Sequence, residues 1–140
     1  MASIRREISL AADAASVWDA LRDFGAVHER VAPGFVVATQ LEGDARVVTF
    51  GNGMRVRERL IDSDDAQRRL VYGVVDGRFT HDNTAVQVFD EGNGQSRLVW
   101  TRDMLPNELA GSIAAMMDQA VQVMKPALER AGSKAAVATS

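Results

Sequence analysis

The spacing of apolar positions changes several times along the chain, and each change marks an element. Ile4 to Leu10 alternates, with Ile4, Ile8 and Leu10 on one face, which predicts a half-buried strand with Arg6 as the odd polar member of that face. From Asp13 the spacing lengthens to three and four. Val17, Trp18, Leu21 and Phe24 then share one face of a short amphipathic helix that Asp13 caps and Gly25 ends. Ala26 to Val31 predicts a second brief helix before Pro33-Gly34 forces a turn. From Phe35 to Met104 the pattern reads as six strands. Turn chemistry separates them at Gly43-Asp44, Gly51-Asn52-Gly53, Asp62 to Ala66, Asp76-Gly77 and Gly92-Asn93-Gly94. No helical stretch lies between these strands, so the sheet is expected to be antiparallel.

Pro106-Asn107 then opens a long helix in which Leu109, Ile113, Met116, Met117, Ala120, Met124 and Leu128 recur at spacings of three and four. Pro126 inside it removes one backbone hydrogen bond and predicts a bend near Gln122. Gly132 and the small residues after it predict a frayed end, so residues 1–132 form one domain and 133–140 a flexible tail. A seven-stranded antiparallel sheet with one long helix to cover it must curl around that helix to bury its inner face. The expected class is therefore α+β: a helix-grip fold with two short helices after strand 1, enclosing a hollow wherever side chains fail to fill the grip.

Composition narrows the partners. At 140 residues, 46% hydrophobic and 25% charged, the chain has the profile of one ordinary globular domain. Its net charge of −3 argues against nucleic acid, which needs clustered, unopposed cations. With no cysteine there are neither disulfides nor thiolate metal sites. No apolar run approaches the roughly 18–20 residues of a membrane span, and no apolar stretch follows the N-terminal arginines as in a secretory signal, so a cytoplasmic protein is expected. His28 and His81 are the only histidines. Joining them with Glu29 and Asp82 would require distant loops to converge, so no metal and no cofactor is expected. Gly51-Asn52-Gly53 lacks the lysine and hydroxyl of a phosphate loop and reads as a hairpin turn. Edge strands and helix faces leave monomer and homodimer both open.

The order of elements, with Val17 to Gly25, Arg57-Glu58-Arg59-Leu60 and Val99-Trp100, resembles the START and birch-pollen-allergen-like superfamily (SRPBCC) over Ile4 to about Leu128. The branch it is most similar to is that of the polyketide cyclase/dehydrase-like proteins, which also resemble plant abscisic-acid receptors. The resemblance implies an internal pocket against the long helix for lipids, sterols, hormones or polyketides. It also sets Gly51-Asn52-Gly53-Met54 where the receptors carry their gate loop and Arg78-Phe79-Thr80-His81 where they carry their latch. The gate's proline and the latch's histidine-arginine pair are absent from this chain.

Met54 to Ile61 carries the most chemistry. Alternation turns Arg55, Arg57 and Arg59 to water and Met54, Val56, Glu58 and Leu60 to the concave side. An unpaired carboxylate there would be costly, so Glu58 is either a ligand anchor or general base, or the buried partner of an arginine such as Arg102 or Arg6. Tyr72 shares a face with Leu70 and Val74 and can join Glu58 in orienting a polar ligand group, or can be a core tyrosine. Trp100 sets the depth of the pocket or packs in the core, and Trp18 belongs to the core. The expected lining is Met54, Val56, Glu58, Tyr72, Val74, Val86, Trp100, Met116, Met117, Ala120 and Met124, the methionines adapting to varied shapes. These residues point to a binding or carrier protein for a small hydrophobic molecule, lipid-, polyketide- or hormone-like, with Glu58 as one acidic handle for a hydroxyl, amine or enolisable carbonyl. The alternative is a cyclase or dehydratase in which Glu58 moves a proton and Tyr72 steadies an enolate.

Overall fold

In the computed structural model, residues 2–75 and 77–139 are described, with side chains through Ser133. The chain runs β1 (Ala2–Leu10), α1 (Ala14–Arg22), a 3-10 turn (Phe24–Ala26), a π-helical turn (Val27–Val31), then β2 (Val36–Glu42), β3 (Ala45–Phe50) and β4 (Arg55–Asp64). β5 (Arg69–Val74), β6 (His81–Gly92) and β7 (Gln95–Leu105) follow, and a 3-10 turn (Asn107–Leu109) leads into α2 (Ala110–Thr139). The seven strands form one antiparallel sheet in the order β1-β7-β6-β5-β4-β3-β2. Every neighbour is a hairpin partner except β1, which lies beside β7, so β1 and β2 are opposite edges of the sheet although α1 and two turns are all that separate them in sequence. This is the helix-grip arrangement.

The alternation that predicted the strands is the alternation of their burial. In β7, Leu98, Trp100, Arg102 and Met104 are buried, while Val99, Thr101 and Asp103 between them are partly exposed on the convex side. α2 lies in the concave face, and Ile113, Met117, Ala120, Met124 and Leu128 bury the stripe its sequence predicted. Each of the large side chains among them, Ile113, Met117, Met124 and Leu128, contributes roughly 1.5–3 kcal/mol of apolar burial. Three polar ties fasten α2 to β1. Arg6 Nε donates to Asp118 Oδ1 at 2.6 Å, Lys125 Nζ donates to the Ser9 carbonyl, and Glu129 Oε2 accepts the Ala11 N–H at 2.7 Å. The odd arginine of the first strand is thus a strut to the helix.

Some boundaries differ from expectation. α1 is capped by Asp13, whose carboxylate accepts the Ser16 N–H at 3.0 Å, but it ends at Arg22 and not at Gly25. Gly25 sits in the 3-10 turn, where a Cβ would press on the Leu41 side chain at 3.0 Å. The second short helix is the pair of tight turns from Phe24 to Val31. Pro126 lies inside α2 without interrupting it. The helix continues past Gly132 to Thr139, and the side chains of the expected tail after Ser133 lie outside the described residues. Asp76 of the expected Asp76-Gly77 turn also lies outside them; Gly77 has a φ of 83° that suits a glycine. Among the described residues no helix is long and apolar enough to cross a membrane.

A candidate ligand cavity with two buried ion pairs

Between the concave face and the first half of α2, from Ser112 to Met124, lies a cavity of about 530 Å³. Every strand except β1 contributes to its wall, and Leu21 with the turn residues Val27 and Val31 closes one side. Asn52, Met54, Gly77, Arg78 and Phe79, from the β3–β4 and β5–β6 connections, also line it. Of the residues the sequence singled out, Met54, Val56, Glu58, Tyr72, Val74, Val86, Trp100, Met116, Ala120 and Met124 all line this one space. Met117 does not. It is fully buried in the core, because successive helical residues point about 100° apart and only Met116 of the adjacent pair faces the cavity.

The polar floor differs most from expectation. Glu58 does face inward, but its partner is neither Arg102 nor Arg6. Arg46 stands directly opposite it on β3, and Arg46 Nε donates to Glu58 Oε1 at 2.7 Å. A second Arg46 nitrogen donates to the Phe24 carbonyl at 3.1 Å. The guanidinium lies over the rings of Phe24 and Tyr72, 4.0 and 4.8 Å from their centroids, and those rings meet edge to face at 6.0 Å. Arg102 is held elsewhere: its Nε donates to Asp82 Oδ1 at 2.6 Å, and Asp82 Oδ2 accepts the Val74 N–H at 2.9 Å. Phe79 packs against Arg102, which lies 5.0 Å from the ring centroid.

Gly73 makes this second pair possible. A Cβ there would collide with the carbonyl oxygen of Asp82, so only a glycine lets β6 come close enough for the Asp82 side chain to reach the Val74 amide. Arg46 was missed in the sequence, Asp82 was weighed there only as a metal ligand and Phe79 named only at the latch position, though the first two left a signal of their place. Arg46 shares the period-two face of Val48 and Phe50, and Asp82 that of Thr84 and Val86.

Tyr72 lies between the pairs. Its phenol is pushed up to about 12, first by loss of hydration and then by the nearby Glu58 carboxylate, with smaller opposing pulls from Arg46 and Arg102. It therefore stays protonated at neutral pH and can donate a hydrogen bond into the cavity. The indole N–H of Trp100 is buried with no hydrogen-bond partner among the described residues. Trp18 is core, as expected, and its indole donates to Asp65 at 2.9 Å. His28 is half-buried beside Thr39 Oγ1 at 3.0 Å, and His81 is exposed, so the two do not meet. No grouping of three metal-ligating side chains occurs among the described residues.

Residues 1–135 match the family described as polyketide cyclase / dehydrase and lipid transport. No curated protein sequence matches the chain. Among solved structures, a Thermobifida fusca protein is 31% identical, with 95% of each chain covered and a TM-score of 0.77. A START superfamily protein from Mycobacterium smegmatis is 11% identical, covering 94% of this chain and 97% of its own, with a TM-score of 0.73. A point mutant of norcoclaurine synthase from Thalictrum, in complex with a transition-state analogue, is 21% identical over 92% of this chain and 95% of its own, with a TM-score of 0.67. The last two likenesses concern the fold alone.

Proposed function

The chain belongs to the polyketide cyclase / dehydrase and lipid transport family, and on that premise we propose that it binds or carries one small, largely hydrophobic molecule, of polyketide, lipid or hormone type, in the cavity. The observation that carries this reading is the space itself: about 530 Å³ walled mainly by apolar side chains, with Arg46, Glu58, Tyr72 and Arg102 among the polar groups that the sheet presents to it. A cavity of this kind removes most of a small ligand from water while a few placed groups orient it. Apolar contact with Val56, Val74, Val86 and the flexible Met116 and Met124 supplies affinity without demanding one shape.

Catalysis is the second reading, favoured by Glu58 and Tyr72 facing the same space. Arg46 already occupies one oxygen of Glu58, and Tyr72 is a neutral phenol at pH 7 rather than a phenolate. Both features suit orientation of a ligand better than abstraction of a proton. Titration with the neutral fluorophore N-phenylnaphthylamine, read with native mass spectrometry, tests the proposal. Saturable one-to-one binding without chemical change is the expected result. A protein that takes up neither this probe nor any alkyl or aromatic competitor would overturn it.

A further inference from the structure

The polar groups lining the cavity are not balanced. Among the described residues four arginines face it, Arg46, Arg55, Arg78 and Arg102, against the carboxylate of Glu58, although the whole chain carries a net charge of −3. Asp82, which neutralises Arg102, is withdrawn behind it and is not part of the lining. Both Asp82 oxygens are engaged, by Arg102 Nε and by the Val74 amide, so a ligand finds no acceptor there. Arg102 itself uses only Nε. Its two terminal nitrogens have no protein acceptor among the described residues, and neither is sealed from the cavity. A guanidinium carries its terminal N–H groups as a planar fork that fits two oxygens of one carboxylate. On the same face of β7, two residues away, the ring of Trp100 lines the cavity with its own N–H buried away from it, and Tyr72 adds a neutral hydroxyl donor. Arg55 and Arg78 are exposed and favour the approach of an anion.

We infer that the ligand is an amphipathic acid whose carboxylate, or an equivalent pair of acceptor oxygens, docks on the terminal nitrogens of Arg102 while its apolar body lies against Val86, Met116 and Met124. This rests on the binding reading above and names its ligand class. Glu58 then serves the other end of the polar floor, accepting a hydroxyl of the ligand through the oxygen Arg46 leaves free.

Displacement of N-phenylnaphthylamine by decanoate and by decanol tests the inference, with naphthoate and naphthalenemethanol as the ring-shaped pair. The acid should bind about tenfold more tightly than its alcohol in at least one pair, the effect of one hydrogen bond to a charged group; which pair shows it separates alkyl from aromatic acids. An Asp82→Asn/Arg102→Gln variant removes both charges of the pair together, so that neither is left buried alone. Its ratio of acid to alcohol affinity should fall to about one. Arg102→Lys, which keeps the charge without the fork, should retain part of the preference, and a thermal melt of each variant confirms the fold.

Equal or tighter binding of both alcohols by the unaltered protein overturns the inference and leaves the cavity reading standing. A preference that survives in the Asp82→Asn/Arg102→Gln variant and disappears in Arg46→Gln/Glu58→Gln also overturns it. Failure of the fluorophore and of every one of these acids and alcohols to bind, read by native mass spectrometry, defeats the cavity reading, and this inference with it.

Discussion

Two arginine–carboxylate pairs stand on the same concave face, and they are built inside out relative to one another. In Arg46–Glu58 the acid is the more open partner, with 13% of its side chain exposed against 5% for the arginine. In Arg102–Asp82 the order reverses, at 1% for the acid and 8% for the arginine. The first cation is held by Phe24, Tyr72 and a backbone carbonyl, so the carboxylate is the more open partner of that pair. The second anion is enclosed by Val74 and the close approach at Gly73, so the guanidinium is what the cavity meets. A buried ion pair is weak evidence for stability, because the desolvation it costs is comparable with the attraction it returns. Which partner faces the ligand is therefore the more informative property.

Removing the acid from each pair should give the largest contrast. Asp82→Ala strands a buried guanidinium and a backbone amide together, and a loss of about 3–5 kcal/mol in urea unfolding is expected. Glu58→Ala should cost less, about 1–3 kcal/mol, since Arg46 keeps the Phe24 carbonyl and two ring faces and water in the cavity can reach it. Equal losses would mean that the two environments do not differ as described.

A titration sharpens the comparison next, because Tyr72, between the two pairs, is the chain's single tyrosine. Phenolate absorbance in the ultraviolet should rise with a midpoint near 12 rather than near 10. The folded phenol holds its proton more tightly than the unfolded one. Its contribution to stability is therefore complete below about pH 10 and is lost as pH rises through about 12. Glu58→Gln should lower the midpoint by removing the nearest negative charge.

The smallest effects belong to the rings. Phe24→Leu should weaken the fold by about 1–2 kcal/mol and Phe79→Leu by about 0.5–1 kcal/mol beyond the loss of apolar area. Arg46 lies 4.0 Å from the first ring and Arg102 lies 5.0 Å from the second. A larger effect at Phe79, in paired melts at one pH, would reverse the assignment of the more enclosed cation.

Most of the fold was legible because its code is local. A period of two from Phe35 to Met104, a period of three and four from Leu109 to Leu128, and turn residues between them leave little choice of element. The cavity wall was legible for the same reason: inward positions of neighbouring strands converge once the sheet curls. Met117 marks where that logic ran out, since a stripe wide enough to bury a helix does not say which of two adjacent methionines meets packed core and which meets empty space.

By itself the sequence determined the elements, their order, the curled sheet around one helix, and the inward turn of Glu58, because each follows from spacing along the chain and from the cost of leaving apolar faces in water. Only the tertiary structure decided how the charges pair. Arg46 and Glu58 are twelve residues apart, and Asp82 and Arg102 twenty, and each pair meets through strand register. Register depends on bulges such as that between Leu60 and Asp62, and on the approach that Gly73 permits. Spacing names which residues point inward. The shape of the closed sheet selects which of them touch, and so turned an expected acidic handle into a cavity whose surplus charge, among the described residues, is positive.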